Sequence, residues 1–147
     1  MSKDYAPRMH SAEHILNGTM VRVFGCERSF SAHINKKKSK CDYHFARPLT
    51  DAEISDIEAR VNAVIDGKLD VRAEMMPRSE AERTFNLSRL PEDAGEALRI
   101  VLIGDYDACP CIGEHVDNTA EIGAFRVISH TFEDGVLRIR YRLDDPA

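Results

Sequence analysis

Two short stretches of this chain hold the residue types best suited to chemistry. His10 and His14, in "HSAEH", stand four apart, and Cys111 and His115, in "CIGEH", repeat that spacing. On a helix, residues four apart lie one turn above each other on one face, so two ring nitrogens can reach a single ion. One thiolate and three imidazoles together suit zinc, because mixed sulfur and nitrogen donors disfavour magnesium and calcium. Cys109 is the competing thiol; Cys111 is preferred because it keeps the four-residue spacing to His115. Gly113 is expected to let the backbone turn tightly between them. If residues 10 and 111 do not meet in space, the helix pair is only a capping or solvent-facing pair.

The elements that must position these residues are legible in outline. Residues 9–24 predict a helix, with Ile15, Leu16, Met20, Val23 and Phe24 as its apolar side and Gly25 as its end. Residues 29–45 predict a strand hairpin whose turn is the lysine-rich centre. Thr50 and Glu53 form a capping-box pattern, and Ile54, Ile57, Val61, Val64 and Ile65 then recur at helical spacing up to Gly67. Residues 69–75 alternate like a strand, Ser79–Glu82 is a second capping-box pattern for a short helix, and 98–103 is a buried strand. Asp134-Gly135 between two alternating runs is a strong hairpin signal. Strands outnumber helices and their connections are short, so the expected class is α+β, mainly antiparallel sheet with packed helices.

The length, 147 residues, predicts one domain spanning 1–147 that buries its core without staples. Hydrophobic content of 43% with 31% charged residues excludes a disordered chain. No apolar run approaches the roughly 18 residues of a membrane span. The first ten residues lack the apolar core of a secretory signal, so the expected location is cytoplasmic. The four cysteines are then thiols, ligands or core residues, with Cys26 and Cys41 read as small buried hydrophobes. A net charge of -5 argues against coating nucleic acid by charge alone, but leaves room for a local patch.

The segments "HSAEH", "PLTDAEISDIEARVN" and "CIGEHVDNTAEIGAFRV" occur in an order that resembles the free-standing alanyl-tRNA editing proteins. Those are related to the editing domains of alanyl- and threonyl-tRNA synthetases. The resemblance runs from about residue 9 to 143 and includes the T-x-E-I-G segment, Thr119 to Gly123. It implies the editing-domain fold and His10, His14, Cys111 and His115 as ligands of a zinc ion. It also implies hydrolysis of mischarged aminoacyl-tRNA, typically seryl-tRNA made in error on alanine tRNA. Many members carry Cys-Gly-Gly-Thr-His where this chain has Ile112, Gly113 and Glu114 between the last two ligands. The glycine-rich strand motif with a glutamine, found in larger members, is not evident around residues 29–34.

The bond such an enzyme cuts is an ester between an amino acid and the terminal ribose. A metal can polarise the carbonyl, activate a water or orient the substrate, and four protein ligands leave no open tetrahedral position. Serine is larger than alanine by a hydroxyl, so selectivity must use that hydroxyl as a handle, which a hydrogen-bonding site can do by about 10⁴–10⁵. Ser11, between the two helix histidines, is the candidate for this bond, with Ser31 as another. Glu114 is the candidate to accept a proton or pair with the α-ammonium group; Glu13 and Asp42 are lesser acids. Lys36, Lys37, Lys38 and Lys40 form a candidate patch for tRNA phosphates, and Arg138, Arg140 and Arg142 share one strand face that can bind RNA or pair with acids. Three rivals remain: a non-catalytic tRNA-binding module with a structural zinc, an editing hydrolase for another ester, such as glycyl-tRNA, and an unrelated zinc enzyme on a similar scaffold.

Overall fold

In the computed structural model, which describes residues 6–85 and 95–146, helix α1 (Pro7–Phe24) is the central element. Pro7 suits its first turn, where an N–H would be unpartnered anyway. Gly25 closes it in the left-handed region (φ 68°), its N–H bonded to the Val21 carbonyl at 2.9 Å. Ile15, Leu16 and Met20 are buried, as the apolar spacing predicts, and Met9 and Ala12 join them, whereas Val23 and Phe24 are half-buried. So, however, are Ser11, Glu13, His14, Asn17 and Thr19. A helix buried on its polar side too must supply those groups with partners, and it is these that build the site described below.

The lysine-rich hairpin forms as β1 (Ser31–His33) and β2 (Ser39–His44), antiparallel, with Ala32 opposite Cys41. Helix α2 (Asp51–Asp66) starts with both halves of the Thr50/Glu53 capping box in place and buries Ile57, Val61 and Ile65. Strand β3 (Val71–Pro77) leads into the short helix α3 (Arg78–Thr84), followed by β4 (Ala97–Ile103) and β5 (Asp107–Pro110). A 3-10 turn at Thr119–Glu121 precedes β6 (Phe125–Glu133) and β7 (Val136–Leu143). Asp134 and Gly135 both take positive φ, 53° and 80°, as the tight hairpin between β6 and β7 requires.

The class is α+β, and every strand pair is antiparallel. A four-stranded sheet runs β1-β2-β7-β6 and a three-stranded sheet runs β3-β4-β5. Alternate residues Leu137, Ile139 and Tyr141 of β7, with Cys41 and Tyr43 of β2, face α1 and α2 in the main core. A smaller cluster, Ala81, Leu98 and Ile100, lies between α3 and the second sheet. Among the described residues no helix is long and apolar enough to cross a membrane.

Two local expectations change. The Ser79–Glu82 box does not form: Pro77 is the N-cap of α3, so Ser79 already lies inside the helix and has no exposed N–H groups to cap. Strand β5 has no alternating pattern to announce it; its pairing to β4, Val101 opposite Cys109, defines it. The T-x-E-I-G segment is scaffold. Thr119 Oγ1 donates to the Ile65 carbonyl at 3.0 Å and accepts the Leu69 N–H at 2.9 Å, sealing the end of α2.

Candidate metal centre

Helix α1 presents His10 and His14 on one face, and the loop leaving β5 brings Cys111 and His115 against it. One donor atom from each of the four lies within 4.8 Å of the others. Cys111 Sγ is 3.4 Å from His10 Nε2. The three rings crowd together, with centroids 4.3 Å apart for His10 and His115, 4.4 Å for His14 and His115, and 5.1 Å for His10 and His14. The second pair keeps its four-residue spacing without any helix.

What shapes that loop is mostly hydrogen bonding to its backbone. Arg99 on β4 donates from Nη1 to the Cys111 carbonyl (3.1 Å) and the Gly113 carbonyl (2.7 Å). The Gly113 N–H points at Cys111 Sγ, 3.4 Å away. Gly113 does not have the positive φ that a tight glycine turn would need. Its requirement is room: a Cβ there would lie 2.2 Å from Cε1 of His10.

The same contacts orient two of the imidazoles. The Glu114 carbonyl can only accept, so the 3.2 Å contact puts a proton on Nδ1 of His10 and turns Nε2 toward Cys111. Ser11 Oγ accepts the Val116 N–H at 3.2 Å and lies 3.0 Å from Nδ1 of His115. The remaining nitrogen of that ring, His115 Nε2, is buried and makes no hydrogen bond among the described residues. A buried nitrogen left so is costly unless something else satisfies it. A metal ion held by the four donors would do so, and a mixed set of one sulfur and three nitrogens fits zinc.

Electrostatics agree with a ligand set. Burial works against protonated His10, but the hydrogen bond and charge of Cys111, the charge of Glu13 and the Glu114 carbonyl raise its pKa overall. Burial pushes Cys111 up, yet the hydrogen bond and charge of His10 and the Gly113 N–H bring it below the ordinary thiol. Burial, then the charges of His10 and Arg99, lower His115 to about 3, so its ring is neutral with a lone pair at neutral pH. Cys109 differs: burial pushes it up to about 12, and it is outside the converging group.

The other residues singled out from the sequence fall in varied places. Ser11 is fully buried against His115. Glu114 is exposed, and what touches His10 is its carbonyl. Glu13 is buried on α1. Asp42, opposite Ser31 in the first hairpin, accepts from Arg138 (2.7 and 3.0 Å) and Lys40 (2.7 Å), a structural ion cluster on β2 and β7. Lys36, Lys37 and Lys38 are exposed at the hairpin loop, whereas Lys40 is half-buried in that cluster. Arg142 pairs with Asp144, and Arg140 lies opposite Lys40 on the same sheet. Arg99, Arg28 and Asp107 escape a motif search. Asp107 Oδ2 is 3.7 Å from Nδ1 of His14, and Arg28 grips that carboxylate at 2.6 and 3.1 Å. Only Arg99, a charge inside the apolar run "LRIVLI", leaves a trace in the sequence.

Replacing Ser11 by alanine removes the partner that fixes the His115 ring. Loss of such an outer support is expected to weaken zinc binding by roughly 10-fold, at the lower end of the usual range. The Val116 N–H loses its acceptor as well, which costs about 1–3 kcal/mol of stability. A zinc competition titration and a denaturant melt of the metal-free variant check the two effects separately.

Residues 98–140 match the family described as the threonyl and alanyl tRNA synthetase second additional domain. That stretch takes in Cys111 and His115 but does not include α1, which carries His10 and His14. The chain is 38% identical over 139 residues to the alanine–tRNA ligase of Staphylothermus marinus. It is 33% identical over 139 residues to that of Ignicoccus hospitalis and 34% over 144 residues to that of Aeropyrum pernix. These alignments cover 91, 91 and 94% of this chain, but only 15, 15 and 16% of the three ligases.

Proposed function

We propose that this chain, a relative of the threonyl and alanyl tRNA synthetase second additional domain, is a zinc-dependent aminoacyl-tRNA hydrolase that clears serine from mischarged alanine tRNA. The observation that supports this reading above the others is the convergence of His10, His14, Cys111 and His115 from α1 and the loop after β5. These four would hold the ion. When bound, zinc supplies a positive charge to polarise the ester or to anchor the amino acid beside it.

The chain's own residues do the rest. The Glu114 carbonyl sets the tautomer of His10, and Ser11 holds the His115 ring in position. With Ser11 Oγ engaged by His115 and Val116, its part is to position the ring, rather than to grasp the substrate's hydroxyl. In this reading the Glu114 carboxylate, which is exposed, pairs with the α-ammonium group of the ester. Lys36, Lys37 and Lys38, exposed on the hairpin loop, meet tRNA phosphates, a contact that weakens as salt rises.

The test is deacylation of seryl-, glycyl- and alanyl-esters of alanine tRNA, with and without a chelator. Serine is released, alanine is spared, chelation stops the reaction and added zinc restores it. Binding of tRNA with no turnover favours a binding module. Faster release of glycine than serine reassigns the amino acid.

A further inference from the structure

We infer that Glu13 is a fifth member of the metal centre: a buried carboxylate that balances the cation's charge beside the two helix imidazoles. The inference rests on the metal-dependent reading above and adds a residue to it.

The side chain of Glu13 is 5% exposed, and its Oε1 lies 3.7 Å from Nε2 of His10 and 3.8 Å from Nε2 of His14. Those separations are too long for hydrogen bonds. They put the carboxylate beside the two rings, outside the four donors that all lie within 4.8 Å of one another, where it acts on a bound cation through charge. The other oxygen, Oε2, accepts from Asn17 Nδ2 at 3.0 Å. Asn17 cannot turn its amide over, because its Oδ1 accepts the Tyr43 hydroxyl at 2.8 Å and the Ser29 N–H at 3.1 Å. Groups from α1, β2 and the segment before β1 thus hold the carboxylate in one orientation, with Oε1 toward the two rings.

The charge sum gives that orientation a purpose. Three neutral imidazoles and one thiolate bring a single negative charge to a divalent cation. One positive charge would remain in a pocket where His14 is 3% exposed, and burying an unbalanced charge is expensive. Asp107 does not supply the difference, since Arg28 already matches it with two hydrogen bonds. Glu13 does, and brings the cluster to neutrality.

Glu13→Gln keeps the shape and removes the charge. Zinc affinity of the full chain, read by competition with a chromogenic chelator, is expected to fall roughly 10- to 100-fold. The melting temperature of the metal-free variant should stay the same or rise. Glu13→Asp, which keeps the charge on a shorter arm, should lose less affinity than Glu13→Gln. Unchanged zinc affinity in Glu13→Gln overturns the inference, as does equal loss in the two variants. A wild-type chain that binds zinc with this Glu13 dependence, yet cleaves no aminoacyl ester, removes the hydrolase reading and leaves the role of Glu13 standing. A wild-type chain that takes up no zinc overturns both.

Discussion

Alanine in place of His14 is expected to leave the protein with almost no bound zinc and with deacylation reduced on the order of 10³-fold, about 4 kcal/mol of lost transition-state stabilisation. His14 has the largest expected effect because it is the most enclosed imidazole of the cluster, 3% exposed. Once it is gone, solvent does not reach the gap readily, and the three remaining donors are left without their fourth. The helix itself should survive, since alanine is a good helix former. Metal analysis of the purified variant, beside a melt of its metal-free form, separates loss of the ion from loss of the fold. A variant that keeps full activity without zinc would sink the metal reading.

Gly113→Ala tests the same centre from the opposite wall. The new Cβ would lie 2.2 Å from Cε1 of His10 and 2.6 Å from Nδ1, distances that real atoms do not share. The ring must swing away. It then gives up its contacts with the Glu114 carbonyl and with Cys111 Sγ. Because the backbone at Gly113 is not in the left-handed region, alanine adds no conformational strain there, and the damage stays with His10. Zinc affinity should drop roughly 10- to 100-fold while the metal-free protein melts nearly as before. Zinc binding equal to wild type would mean that the loop yields instead of the ring.

What could be read from the sequence was local. The capping box at Thr50 and the Asp134-Gly135 turn depend on a few neighbouring residues, so their patterns carry their structures. The helix pair His10 and His14 was legible for the same reason. Strand β5 was not, because its residues become a strand only by pairing with β4. Ser79 shows the reverse failure: a correct local pattern was displaced when the helix began two residues earlier, with Pro77 as its N-cap. Burial was hardest to foresee. Glu13 and Glu114 each stand just before a histidine of the cluster and read alike as letters, yet one is enclosed and pinned by Asn17 while the other faces solvent. Gly113 was singled out for conformational freedom, when what the site asks of it is a missing methyl group.

The contact between His10 and Cys111 joins positions 101 residues apart. At an ordinary synthesis rate, the ribosome needs roughly 5–20 s to travel that distance. During this interval the newborn chain carries the helix pair without Cys111 or His115, and two imidazoles alone make only a weak chelate. The four donors can therefore come together around an ion only once translation has passed His115.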